Sequence, residues 1–248
     1  MKKILTRKEF EKERAEFAKK MADDRFLRDK ARDLLTSADR YNWIHQTNWL
    51  GEPILNTAED MFAIQELVYR TRPEFIIESG VAWGGSLLFY SSLMELFGGQ
   101  KIIAIDVYQP DDLIKRISSY GSLSERIIWI NGSSTAEKTI ESVRKIVGNN
   151  RKNIVILDSD HSHQHVLEEL RIYSGFVGKG YHLICGDTIV EHIPPQLHRP
   201  RSWGPGNNPE TARLEFLRET DRFEIDTRIE NKLLMTTNPS GYLRAVKD

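Results

Sequence analysis

Two short stretches hold most of the residues able to do chemistry. Leu157-Asp158-Ser159-Asp160-His161-Ser162-His163-Gln164-His165 follows one apolar run, and Cys185-Gly186-Asp187-Thr188 follows another. If both runs are strands of one open α/β sheet, their carboxyl ends lie side by side, where such sheets place ligands. Asp158, Asp160 and Asp187 then converge. Three carboxylates with no cysteine partner suit a hard cation such as Mg²⁺ or Mn²⁺. Such a cation would hold a substrate hydroxyl and lower its pKa, and His161, three residues after Asp158, is placed to take the proton. Two other readings stay open. His161, His163, His165 and His182 are four of the seven histidines, which allows a two-histidine, one-carboxylate iron site and an oxygenase. Acids at strand ends also cap helices, and His165 opens an apparent helix through Val166, Leu167, Leu170 and Tyr173.

A second constellation lies upstream, Ile77-Glu78-Ser79-Gly80-Val81-Ala82-Trp83-Gly84-Gly85-Ser86. A strand, a glycine loop and a helix start turn backbone N–H groups toward a ligand, with Gly80, Gly84 and Gly85 supplying permissive dihedrals. The spacing is GxxxGG, not the GxGxxG of dinucleotide folds. Glu78 would repel a pyrophosphate and attract an ammonium group. Asp106, ending the next apolar run, can accept both hydroxyls of a ribose. An acid before the loop and an acid after the second strand therefore suit a nucleoside carrying a cationic amino acid, and S-adenosylmethionine is such a ligand. The bland reading is a tight turn with Asp106 as a surface cap. Ser133 and Ser134, after the third run, sit where an adenine would lie, or cap the helix that follows.

These residues need a scaffold. Five apolar runs, Phe75–Glu78, Ile102–Asp106, Ile127–Ile130, Ile154–Leu157 and Tyr181–Cys185, alternate with helical stretches at Ser86–Phe97, Thr135–Val147 and about Gln164–Val177. That alternation predicts a parallel sheet covered on both faces. A helix face at Met61, Ile64, Leu67 and Val68 precedes it, with Thr57 and Asp60 as a capping pair and Pro73 as its stop. Residues 189–209 carry five prolines and read as a long loop, a lid or substrate wall bearing Arg201 and Trp203. Beyond it the pattern predicts a helix over 209–220 and two strands, Phe223–Ile229 and Leu233–Thr237, joined by a Glu-Asn-Lys turn. Residues 7–39 read as one or two amphipathic helices. Tyr41, Trp43 and Trp49 read as core cover or as the mouth of a pocket.

Composition sets outer bounds. The chain has 248 residues, 40% hydrophobic and 29% charged, with a formal net charge of −1. This is enough apolar material for a sizeable core. The charge balance argues against a nucleic-acid binder. No run is long enough to cross a bilayer as a helix, the N-terminus with Lys2 and Lys3 lacks the apolar region of a secretory signal, and acids interleave with bases, leaving no basic stripe for a membrane surface. Cys185 is the single cysteine, so the economical setting is a reducing cytoplasm.

Three blocks, WLGEPILNTAEDMFAIQELVYRTRPEFIIESGVAWGGSLLFYSSLM, IIAIDV and NIVILDSDHSHQHVLEELRIYSGFVGKGYHLICGDT, resemble the cephalosporin hydroxylase/rhamnosyl O-methyltransferase family over about residues 48–240. The resemblance implies a Rossmann-like class I methyltransferase fold, with a seven-stranded, mostly parallel sheet whose last strand is antiparallel, helices on both faces, and a helical N-terminal extension over 1–50. The domain proper then spans 51–248. It implies S-adenosylmethionine-dependent O-methylation of a hydroxyl on a sugar or natural product, often with Mg²⁺. By the same resemblance, Glu78, Gly80, Ala82, Gly84, Gly85, Ser86 and Asp106 map onto the cofactor site, with Val81 inside the same loop. Asp158 or Asp160, with Asp187, maps onto the metal site, and His161 onto the base. The implied partner is a small-molecule acceptor, with self-association through the N-terminal helices. One departure stands out: the family has an acidic pair before the threonine of the fifth strand, and here the pair is Gly186-Asp187. The missing carboxylate leaves three possibilities open: a weaker metal site, Glu191 as substitute ligand, or a member that has lost the metal and serves as a non-catalytic partner.

Overall fold

The computed structural model describes residues 4–195 and 199–248; Lys2, Lys3 and the 196–198 part of the Pro-rich segment lie outside the described residues. Two helices open the chain, α1 (Arg7–Asp23) and α2 (Arg25–Asp39). Thr6 and Glu9 form a capping box at the start of α1, and Asp24 caps α2 by accepting from Leu27 N. Helix α1 buries none of its residues, whereas α2 turns Ala31 and Leu35 inward. A one-turn 3-10 helix, Trp43–Gln46, leads to a hairpin of β1 (Thr47–Trp49) and β2 (Glu52–Ile54). Its turn uses Leu50 and Gly51 at positive φ, the backbone that two-residue hairpin loops demand. The expected boundary at 50/51 falls in this turn. Trp49 covers the core: its ring meets Phe89 edge-on at 5.0 Å, and its Nε1 donates to Ser92 Oγ at 3.0 Å.

Helix α3 (Ala58–Thr71) leads into the main sheet. The sheet strands are β3 (Phe75–Ser79), β4 (Lys101–Asp106), β5 (Ile127–Asn131), β6 (Asn153–Leu157), β7 (His182–Cys185), β8 (Phe223–Ile225) and β9 (Tyr242–Ala245). Their order is β5-β4-β3-β6-β7-β9-β8, and β9 alone runs antiparallel to its neighbours β7 and β8. The crossover helices are α4 (Gly85–Phe97), α5 (Asp111–Ser118), α6 (Glu137–Val147), α7 (His163–Tyr173) and α8 (Pro209–Glu219).

Strand parity assigns the two faces. Ile76, Ile102, Ala104, Ile154, Ile156 and Ile184 join one buried cluster with residues of α3, α4 and α5. Phe75, Ile77, Ile103, Ile105, Val155 and Leu183 join the other, with residues of α6, α7 and α8. Each such Ile, Val, Leu or Phe side chain taken fully out of water contributes about 1.5–3 kcal/mol before entropy is counted.

Three sequence expectations need correction. Helix α5 had no place in the sequence pattern, yet Leu113 and Ile117, one helical turn apart, are buried on its inner side. The strand expected over Phe223–Ile229 stops at Ile225, because Asp226 caps a one-turn helix, α9 (Thr227–Glu230), by accepting from Arg228 N. Leu233–Thr237 is not a strand. Three of its N–H groups go to two acids of α3: Glu59 Oε2 accepts from Leu234 and Met235 at 2.7 and 3.0 Å, and Asp60 Oδ2 accepts from Thr237 at 2.9 Å. The pairing strand is β9, a few residues later.

Candidate active site

Glycine is obligatory at the end of β3. Gly80 has φ 86°, and a Cβ there would stand 2.0 Å from the Asp158 carbonyl oxygen, so the ends of β3 and β6 touch directly. Above them opens a crevice of about 480 Å³, within the range of small-ligand sites. Gly80, Ala82, Asp106, Ser133 and Ser134 line it, as the sequence led us to expect; Ile105, Val107, Gly132, Ser159 and His165 line it as well. Asp158 and Asp160, expected as metal ligands, form part of the same wall. Asp106 is held rigidly: Oδ2 accepts from Val81 N at 2.8 Å and Oδ1 from Tyr108 N at 2.9 Å. Val81 thus orients the acid and lies buried behind it.

The other expected cofactor residues do not line the crevice. Glu78 shares the parity of Ile76, so its carboxylate enters the α4 face, where it accepts from Ser86 Oγ at 2.9 Å and Tyr90 OH at 3.0 Å. Burial pushes its pKa up to about 8, with the Asp106 charge adding to the effect and the two hydroxyls opposing it. Gly84 is the left-handed N-cap of α4, with Ile117 2.9 Å from where its Cβ would be. At Gly85 a Cβ would stand 2.3 Å from Pro53 O, so this glycine lets the β1–β2 hairpin dock. The GxxxGG pattern therefore divides its work: Gly80 shapes the ligand crevice, and the glycine pair packs the scaffold.

Ser134 is not a helix cap. Its Oγ meets His165 Nε2 at 3.1 Å and its carbonyl accepts from Tyr173 OH at 2.9 Å. His165 also meets Ser159 Oγ at 3.2 Å and Glu169 at 3.5 Å. The hydrogen bond to Glu169 raises the imidazole pKa, against the burial that lowers it. The i, i+4 spacing of His165 and Glu169 on α7 was the available signal. Ser133 Oγ faces Thr135 Oγ1 at 3.2 Å.

Beside the crevice, among the described residues, one group of acids and imidazoles could hold a metal ion: Asp158, His161 and Asp187, with donor atoms within 4.8 Å of one another. His161 Nε2 lies 3.5 Å from Asp187 Oδ2, and its ring meets Trp203 edge-on at 4.9 Å. Burial, reinforced by the negative charges of Asp187, Glu78 and Glu169, pushes the Asp158 carboxyl well above its ordinary range. The two carboxylates fit a hard divalent ion, with the imidazole beside them. Asp160 is not in this group. Its Oδ1 accepts from Ser162 N at 2.7 Å at the head of α7, and despite partial burial that bond, with His165 and His161 nearby, holds its pKa down. Nor does Glu191 substitute: it accepts from Gly206 N at 2.7 Å and pins the Pro-rich segment. Gly186 has a steric reason, since a Cβ there would stand 2.8 Å from Asp158 Oδ1.

A two-histidine, one-carboxylate set is not assembled among the described residues. His163 Nδ1 meets Thr211 Oγ1 at 2.8 Å, and its Nε2 faces Glu215 at 3.2 Å. His182 is buried against Asp226 at 3.0 Å. One histidine near the site escaped the sequence reading. His45, in the 3-10 turn before β1, has its pKa lowered by burial and by Arg199, against the charges of Asp39 and Asp187.

Strand order, the lone antiparallel strand and a crevice at the carboxyl ends of the central strands define the Rossmann-like class I methyltransferase fold. The family model described as "Rhamnosyl O-methyltransferase/CmcI" matches residues 41–246, and the chain belongs to that family. It is 29% identical over 200 residues to the rhamnosyl O-methyltransferase of Mycobacterium leprae, covering 79% of this chain and 82% of the relative. Among solved structures, CmcI with Mg and SAM aligns with a TM-score of 0.56 at 20% identity, covering 82% and 77% of the two chains. The O-methyltransferase of Bacillus cereus in complex with SAH aligns with a TM-score of 0.52 at 11% identity, covering 88% and 91%.

Proposed function

We propose that the protein is an S-adenosylmethionine-dependent O-methyltransferase that methylates a hydroxyl of a small molecule, a sugar-bearing one by the names of its relatives. One observation carries the reading. Asp158 lines the crevice, its carboxyl converges with His161 and Asp187, and Asp187 in turn lines a second cavity. Donor crevice, acid and imidazole cluster, and acceptor cavity are thus joined through shared residues.

The residues have distinct tasks. Asp106 accepts the ribose hydroxyls; Ile105 and Val107 offer apolar surface to the base; Gly80 and Ala82 let the backbone approach. S-adenosylmethionine supplies the methyl group, and its sulfur takes up the electron pair of the broken carbon–sulfur bond. Asp158 and Asp187 are the carboxylates that would hold a divalent cation, whose positive charge favours loss of the acceptor's proton. His161 Nε2 receives that proton as the new oxygen–carbon bond forms. Holding both reactants in line supplies much of the acceleration by proximity, and Trp203, packed on His161, keeps water from that side.

No helix among the described residues is long and apolar enough to cross a membrane. The buried lone thiol Cys185 agrees with a reducing cytoplasm, and exposed Phe10 and Phe17 on α1 favour self-association there. The domain spans residues 51–248, and residues 1–50, which include the first hairpin strand, are its extension.

The test is turnover, followed as S-adenosylhomocysteine released with a hydroxylated glycoside as acceptor. We expect a chelator to lower the rate and Mg²⁺ to restore it. His161→Ala should lower kcat by roughly 10²-fold or more, the scale of a lost general base, with donor affinity unchanged. Full activity in chelator would remove the metal role from Asp158 and Asp187.

A further inference from the structure

The turn that carries Asp187 is held in an uncommon shape from outside. Asp187 follows β7 with φ 50° and ψ 31°, the left-handed region where a Cβ is crowded. A residue keeps such a backbone only where its surroundings hold it there. Here the holding group is one side chain: the Asp187 N–H donates to Asn238 Oδ1 at 2.8 Å. The flanking residues are fastened to the same segment. Cys185 N donates to Gly241 O at 2.9 Å, Thr188 Oγ1 to Pro239 O at 2.7 Å, and Ile189 N to Thr237 O at 3.0 Å. With the backbone so fixed, the Asp187 carboxylate stands 3.5 Å from His161 Nε2 and in one cluster with Asp158.

Asn238 is itself held, and the hold runs to a buried acid. It is 2% exposed. Its N–H donates to Thr236 Oγ1 at 2.9 Å, and its side chain hydrogen-bonds Tyr242. Both of those hydroxyls end on Asp60 Oδ1, which accepts from Thr236 Oγ1 at 2.5 Å and from Tyr242 OH at 2.7 Å. Asp60 Oδ2 accepts from Thr57 Oγ1 at 2.8 Å, besides Thr237 N. Asp60 is fully buried. A buried carboxylate is costly unless its oxygens are satisfied, and a fully satisfied polar network fixes one arrangement of its members. The segment 233–238, which has strand composition and forms no strand, thus has a duty: it sets Asn238 opposite Asp187.

We propose that Asn238 is a positioning residue for the Asp158–His161–Asp187 cluster: it locks the Asp187 peptide in the left-handed turn that directs the carboxylate toward Asp158, with Tyr242 and Asp60 as its brace. The inference rests on the metal reading above and deepens it. The physical reason is preorganisation. A ligating acid on a free turn must be ordered when the cation arrives, and that ordering subtracts from affinity. A pinned turn is ordered on folding. The pair before Thr188 is Gly186-Asp187, so this strand end offers one carboxylate, and its placement carries all the more weight.

The test uses the full chain saturated with S-adenosylhomocysteine. Free Mn²⁺, followed by electron paramagnetic resonance, is titrated with wild type, Asn238→Ala, Tyr242→Phe and Leu243→Val, and with Asp187→Ala to mark the site. Leu243, next to Tyr242 on β9, is buried in the opposite hydrophobic cluster, so Leu243→Val disturbs the core without reaching the network. Calorimetry of S-adenosylhomocysteine and a melting curve accompany each variant. We expect Mn²⁺ to bind Asn238→Ala about tenfold or more weakly, the scale of a lost outer-shell partner. Tyr242→Phe should weaken it at least about threefold, the scale of one hydrogen bond. Leu243→Val should melt lower and bind Mn²⁺ as wild type does, with donor affinity within about twofold across the set. If Asn238→Ala shows no melting transition and so fails to fold, Tyr242→Phe carries the result. Equal Mn²⁺ affinity in wild type, Asn238→Ala and Tyr242→Phe overturns the positioning role. So does an equal loss in Leu243→Val, which would make Mn²⁺ affinity a readout of stability alone. A wild type that binds S-adenosylhomocysteine but binds Mn²⁺ no more tightly than Asp187→Ala overturns instead the metal reading, and the proposal with it.

Discussion

At the scale of single residues, Glu78 teaches the most. Its position before the glycine loop suggested a hand on the ligand's ammonium group, but a strand turns alternate side chains to opposite faces. Counting from Ile76, which faces α3 and α4, would have placed Glu78 there too. A carboxyl buried with a pKa near 8 against its ordinary 4.5 binds its proton more tightly folded than unfolded. Its contribution to stability is therefore full below about pH 4.5 and is lost as pH rises toward 8. Glu78→Gln keeps a polar partner for Ser86 and Tyr90 and removes the titration. We expect the melting temperature of Glu78→Gln, relative to wild type, to climb between pH 5 and pH 8; a difference that stays flat would show that Glu78 is ionised throughout. The placement of Asp106 on the crevice wall and of His161 beside Asp187 was legible from residue type and position alone. His45 was not, because nothing local in the sequence says that the 3-10 turn folds back toward Asp187.

Elements were legible where a repeating pattern carried them. The five parallel strands and the helices between them announced themselves by apolar runs and by glycines at the stops. Helix α5 was lost because two buried residues in eight leave little periodicity to read. The last hairpin was misplaced because Leu233–Thr237 has strand composition while its N–H partners, Glu59 and Asp60, lie more than 170 residues earlier on α3. Glycine pairs were visible as glycines but not as packing devices. Gly85→Ala tests that role. With Pro53 O in the way, we expect a loss of roughly 1–3 kcal/mol in unfolding free energy, the scale of an overpacked contact. Limited proteolysis should cut the β1–β2 hairpin faster. A variant as stable as wild type would mean that the hairpin shifts without penalty, and Gly85 would have no structural duty.

For the whole molecule, the sequence resemblance already implied the topology, and the observed strand order agrees with it. What the chain could not disclose was how its ends meet. The segment before the sheet and the segment after β7 enclose one cavity beside Asp187, and that closure depends on contacts between residues such as Asp39 and Arg199, distant in sequence. The account of all three scales rests on the crevice over Gly80 being a nucleoside site. Calorimetry with S-adenosylhomocysteine measures this most directly. The account predicts binding at micromolar strength, weakened at least about tenfold by Asp106→Ala through the lost charge-assisted hydrogen bonds to the ribose. Absence of binding by the wild type, or binding that Asp106→Ala leaves untouched, would contradict it.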